Sequence, residues 1–199
     1  ALKGALANFE KNFSQYFSQL KWVNFGGGHH ITRADYDVEG LTNLLKDFKA
    51  RYPHLEVYME PGEAVGWQTG YLVATVLDIV NNGMDLAILD TSAEAHMPDT
   101  LAMPYRAMIR NSAVAFEKKY TYRLGGNTCL AGDIIGDYSF DKPLKVGDKI
   151  ILEDMIHYTM VKTTTFNGIK LPSIIIKNKD NYYKVIKNFC YNDYKSRLS

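Results

Sequence analysis

An α/β unit with parallel strands, followed by a mainly β domain, is predicted by three features of the chain. Helical and strand-like apolar patterns alternate over the first third. Past residue 68 the long helical patterns stop. Short runs rich in Val, Ile, Thr and Tyr replace them, parted by Asn, Gly and Asp.

The elements follow in order. Leu2, Leu6, Phe9, Phe13, Phe17 and Leu20 recur at steps of three and four, which is one apolar face of a helix over 1–19. Lys21 to Phe25 is a short apolar run ending in three glycines, a buried strand that feeds a loop. Asp35 or Asp37 caps a second helix, with Val38, Leu41, Leu45 and Phe48 on its buried face and Pro53 beyond its end. Leu55 to Met59 forms the next strand, closed by Pro61 and Gly62. Short links between helix and strand imply parallel strands. Strands are then expected at 71–80, 84–89, 106–114, 120–124, 149–155, 158–165, 172–177 and 182–189. The division is therefore a barrel fragment over 1–68 and a β domain over 69–199. Because the chain opens without Met and inside a helical pattern, an upstream part is expected to be missing from it.

Composition narrows the function. With 23 Lys and Arg against 22 Asp and Glu, the net charge is +1, too balanced for a surface whose main task is binding nucleic acid. Two cysteines are too few for a disulfide-stapled secreted fold, so a cytoplasmic setting is expected. No apolar stretch reaches membrane-spanning length and no signal peptide is visible, so no membrane partner is expected.

Four motifs carry chemistry, and each also has a plain structural reading. Gly26, Gly27 and Gly28 follow a strand; their amides suit an anion such as a phosphate, or they form a flexible loop. No metal is expected at His29-His30, because adjacent loop histidines rarely chelate one ion and no carboxylate sits at ligand spacing. Glu60, in Glu60-Pro61-Gly62-Glu63, suits a heteroaromatic ring nitrogen, or else belongs to a solvated turn. Cys129, in a Thr-Cys motif before a glycine-rich turn with Asp133, suits proton return to a carbanion, or else is a small buried residue. Asp133 suits a cationic substrate group. Tyr158 suits a phosphate oxygen, or a sheet edge, and Asn167-Gly168 reads as a hairpin turn.

The order of these motifs is more specific than any one of them. A glycine triplet, Glu-Pro-Gly, Thr-Cys before a Gly-Asp turn, then a Tyr-Thr segment leading to Phe-Asn-Gly resembles the ornithine and diaminopimelate decarboxylase family over essentially the whole chain. The resemblance implies the C-terminal part of a TIM-type (β/α)8 barrel followed by a mainly β domain. It implies a pyridoxal 5'-phosphate enzyme that decarboxylates an amino acid, working as a homodimer with shared active sites. Gly26, Gly27, Gly28 and Tyr158 would then hold the cofactor phosphate and Glu60 its ring nitrogen. Cys129 and Asp133 would reach into the partner's site, where Cys129 would be catalytic.

Departures from the pattern choose a branch. Glu63 stands where ornithine and diaminopimelate enzymes usually carry Arg, which disfavours a second substrate carboxylate and favours a polyamine-like cation. Leu130 stands where diaminopimelate enzymes often carry Glu. The stretches Trp22 to Phe25, His29 to Thr32 and Ile88 to Asp99 resemble the branch that acts on carboxylated polyamines. Its cationic small-molecule substrate would be held by Glu63 and Asp99, with Asp90 and Asp133 next. The alternatives are a diaminopimelate, ornithine or arginine decarboxylase, or a catalytically inactive regulatory relative. Lys3 is not the lysine that bonds the cofactor, because it lies only two dozen residues before the glycines. In the family about half a barrel separates the two, so this chain alone is expected to lack that lysine.

Overall fold

The computed structural model describes residues 1–198. The chain divides into two compact units, Ala1–Trp67 and Gln68–Ser199.

In the first unit, α1 (Leu2–Phe13) passes into a 3-10 turn at Ser14–Gln19. Then come β1 (Trp22–Asn24), α2 (Val38–Arg51), β2 (Glu56–Tyr58) and the short α3 (Gly62–Gly66). Asp37 is the cap of α2, its carboxylate accepting from Gly40 N at 2.8 Å. β1 and β2 pair in parallel, with Val23 opposite Val57. The helices bury Leu6, Phe17 and Phe48 with Val23 and Leu55. Phe48 is the hub: it is fully buried, and its ring meets those of Phe17, Phe25 and Tyr52 within 5.0 to 6.2 Å.

The second unit is built on a six-stranded mixed sheet. Its strands are β3 (Tyr71–Asn81), β4 (Asp85–Leu89), β5 (Ala113–Val114), β6 (Tyr120–Gly125), β7 (Ile134–Phe140) and β8 (Lys149–Glu153), in the order β5-β7-β6-β4-β3-β8. Only β4 and β6 run parallel; the other neighbours are antiparallel. One face buries Val76, Leu89, Leu124, Tyr138 and Leu152. Two helical turns, α4 (Ala93–His96) and α5 (Asp99–Ala102), follow β4. A third, α6 (Tyr158–Val161), follows β8. The chain continues through an antiparallel pair, β9 (Ile174–Lys177) and β10 (Tyr183–Lys187), to α7 (Tyr191–Lys195).

Three expectations are corrected. Residues 158–165 do not form a strand. Thr159 and Thr163 spend their hydroxyls on Asp99 and on the Met160 carbonyl, which favours a turn over a ladder. Residues 106–114 are mostly irregular, because Asn111 takes a φ of 61° and Ser112 N turns back to Ile109 O. Residues 134–140 form a strand that the apolar pattern does not announce, because Gly136 and Asp137 interrupt its alternation.

Candidate active site

Parallel pairing puts the ends of β1 and β2 on one edge, so the glycine triplet and the Glu-Pro-Gly corner meet. The ladder runs on past both strands: Phe25 N donates to Tyr58 O at 3.0 Å, and Glu60 N to Gly26 O at 2.9 Å. Asn24 binds the two motifs together. Its side-chain carbonyl accepts from Gly26 N at 2.8 Å while its amide donates to Glu60 Oε1 at 2.6 Å. A Cβ on Gly27 would stand 2.9 Å from the Glu60 carbonyl oxygen, so only glycine permits this approach. Gly26 and Gly28 take φ of 71° and 76°. Since Gly26 N is committed to Asn24, the amides the triplet can offer to an anion are those of Gly27 and Gly28. A phosphate cradle and a fixed carboxylate at the carboxyl ends of parallel strands fit a phosphorylated pyridine cofactor.

His29 is structural. It is buried, with its ring nitrogens 3.2 Å from Tyr36 Oη and 3.4 Å from the Phe25 carbonyl. Glu63, in the first turn of α3, is partly exposed and lies 4.0 Å from His30 Nε2. Thr32 Oγ1 donates to Ala64 O at 2.6 Å, which ties α3 to the loop after the glycines.

In the second unit, two of the four carboxylates expected at substrate are buried anchors. Asp133 is 5 % exposed. Its Oδ1 accepts from Ala93 N at 2.7 Å and Ser92 Oγ at 3.0 Å; its Oδ2 accepts from Thr128 Oγ1 at 2.6 Å and Thr128 N at 3.1 Å. It therefore locks the Thr128-Cys129 loop to the start of α4. Asp99 is 4 % exposed. Its Oδ2 accepts from Tyr105 Oη at 2.6 Å and Thr159 Oγ1 at 3.1 Å, so it fixes the turn that begins at Tyr158. Burial first, then the bond to Asp99, raises the Tyr105 hydroxyl above the usual tyrosine range. Asp90 is exposed, with one oxygen accepting from Thr75 N at 2.6 Å.

Cys129 and Tyr158 are exposed. Cys129 N donates to the Asn167 side-chain carbonyl at 2.9 Å. Tyr158 carries Lys162 Nζ 5.2 Å from its ring centroid. Sequence reasoning missed Asn24, Tyr105, Thr159 and the side-chain role of Asn167. Only Asn24, which directly precedes the loop at a strand end, carried a local signal for its task.

Comparison with known proteins identifies the family and the fold. Residues 16–156 match the family model described as pyridoxal-dependent decarboxylase, C-terminal sheet domain. A carboxynorspermidine/carboxyspermidine decarboxylase of Campylobacter jejuni is 52% identical over 99% of this chain and 54% of its own length. A carboxyaminopropylagmatine decarboxylase of Synechocystis is 48% identical over 100% and 51%. The crystal structure of carboxynorspermidine decarboxylase complexed with norspermidine from Campylobacter jejuni superposes with a TM-score of 0.91 at 52% identity, covering 98% of this chain and 56% of that one. The chain thus spans about half the length of the relatives it matches. With the family model matched over residues 16–156 and a relative 52% identical over 99% of the chain, the chain belongs to the pyridoxal-dependent decarboxylase family that includes the ornithine, diaminopimelate and arginine enzymes.

Proposed function

We propose that the polypeptide carrying this chain removes carbon dioxide from carboxynorspermidine or carboxyspermidine, giving norspermidine or spermidine. The observation that carries the reading is the meeting of the glycine loop with Glu60 at the ends of two parallel strands, together with an anion at position 63. Bound pyridoxal phosphate would supply the sink for the electron pair left when carbon dioxide departs. The Gly27 and Gly28 amides and the Tyr158 hydroxyl would hold its phosphate. Glu60, steadied by Asn24, would keep a proton on the ring nitrogen. Glu63 and the exposed Asp90 would hold the substrate's ammonium groups by charge-assisted bonds. Cys129 would return a proton to the substrate carbon. By the same reading Asp99 and Asp133 support the site from behind rather than touching substrate. The protein would work in the cytoplasm as a homodimer, with Cys129 serving the partner copy's site.

A second reading, decarboxylation of carboxyaminopropylagmatine, is favoured by the 48% identical relative. The test is decarboxylation by the complete polypeptide with carboxynorspermidine, carboxyspermidine, carboxyaminopropylagmatine, ornithine and diaminopimelate side by side. Preference for one of the first three supports a polyamine-precursor enzyme and selects between the readings. Preference for ornithine or diaminopimelate overturns it. A colourless protein without turnover would indicate an inactive relative.

A further inference from the structure

We propose that Asn167 is the positioning residue that aims the Cys129 thiol, an inference that rests on reading Cys129 as the proton donor. Cys129 sits on an exposed loop, where a thiol would ordinarily wander. Two clamps prevent this. From one side, Asp133 holds both the amide and the hydroxyl of Thr128. From the other, the Asn167 side-chain carbonyl accepts from the amide of Cys129 itself, across 38 residues of chain. With Thr128 held at its amide and hydroxyl and Cys129 at its amide, the backbone leading into the Cys129 Cα is fixed. The range open to the sulfur narrows to what φ and the three staggered wells of χ1 allow.

The turn that presents Asn167 is itself anchored. Thr164 N donates to Ala95 O at 2.8 Å, Gly168 N to Thr165 O at 2.9 Å and Ile169 N to Phe166 O at 3.2 Å. Ala95 belongs to α4, whose start Asp133 also holds, so both clamps refer to one helical turn. Asn167 takes φ 58° and ψ 15°. Few residues other than glycine accept that conformation, and Asn and Asp are the ones that also carry a short side-chain acceptor. The Asn-Gly pair thus does more than turn the chain: its amide oxygen is delivered to Cys129.

These constraints define a discriminating set of variants. Asn167→Gly keeps the left-handed turn and removes the acceptor. Asn167→Asp keeps both. In the complete polypeptide loaded with cofactor, Asn167→Gly should lower kcat on the order of tenfold, since small misplacements of a reacting group are costly. KM should stay within about twofold, because the substrate contacts are elsewhere. Asn167→Asp should restore kcat to near the original value. Hydrogen exchange of the peptide 126–133, followed by mass spectrometry, should show faster exchange in Asn167→Gly and not in Asn167→Asp. An unchanged kcat in Asn167→Gly, or an Asn167→Asp variant as slow as Asn167→Gly, would overturn the inference. Failure of the underlying functional reading looks different: the unmutated protein would then turn over no polyamine precursor. The exchange measurement still decides in that case, with unaltered exchange overturning the clamp.

Discussion

Replacement of Asp133 by Asn separates a buried anchor from a substrate ligand. The side chain keeps its size and loses its charge. Its remaining carbonyl oxygen can still accept from Ala93 N and Ser92 Oγ, now 2.7 and 3.0 Å away. The new amide nitrogen then faces Thr128 N, 3.1 Å from the present Oδ2, where a donor meets a donor. One unsatisfied amide costs roughly 1–3 kcal/mol, and the other bonds lose their charge assistance, so the total is about 3 kcal/mol. For a protein of this size that corresponds to a Tm lower by roughly 6–12 °C. Gly126→Ala should act on the same group, because a Cβ there would stand 2.5 Å from Asp133 Cγ. The assay is thermal and urea unfolding followed by circular dichroism, paired with steady-state kinetics. A loss below about 0.5 kcal/mol, within the range of ordinary surface changes, accompanied by a raised KM, would refute the anchor and return Asp133 to the substrate.

Three further perturbations test other parts of the molecule. Burial holds the His96 imidazole below the usual histidine range of 6.5, the Lys170 carbonyl beside it offsetting this only in part. The unfolded chain then takes the proton more readily, so His96 contributes fully above about pH 6.5 and progressively less as pH falls below it. Urea midpoints measured from pH 7.5 down to 5 should decline less steeply in His96→Gln than in the original protein. Glu63→Arg places a cation where an ammonium group is expected, and should raise KM for a carboxylated polyamine roughly 10- to 100-fold, the equivalent of about 1.4–2.8 kcal/mol. Cofactor binding, followed by fluorescence titration, should change little, and equal loss of both would count against the substrate role. Phe48→Ala empties the centre of the first unit and should destabilise it by about 3–5 kcal/mol, read by denaturant unfolding.

The sequence by itself determined what local chemistry can determine. The alternation of patterns placed helix before strand in the first unit, and β-branched runs placed most strands of the second. Parallel pairing of β1 with β2 followed from the short links, and it alone brings Gly27 to the Glu60 carbonyl. The motif order was enough to point to the family, and it nominated Cys129, Glu60 and Tyr158 as the residues to test. Tertiary structure decided which of the acidic residues are buried and which face water. Asp90, Asp99 and Asp133 look alike in a string of letters, because a carboxylate's task depends on which donors surround it and whether water reaches it. Folding brings Ala93 and Thr128 to Asp133, and Tyr105 and Thr159 to Asp99, and so excludes solvent from both; Asp90 stays exposed. The side-chain reach of Asn167 to Cys129 belongs to the same class. A bond across 38 residues has no periodicity to announce it, and only the packed chain makes it.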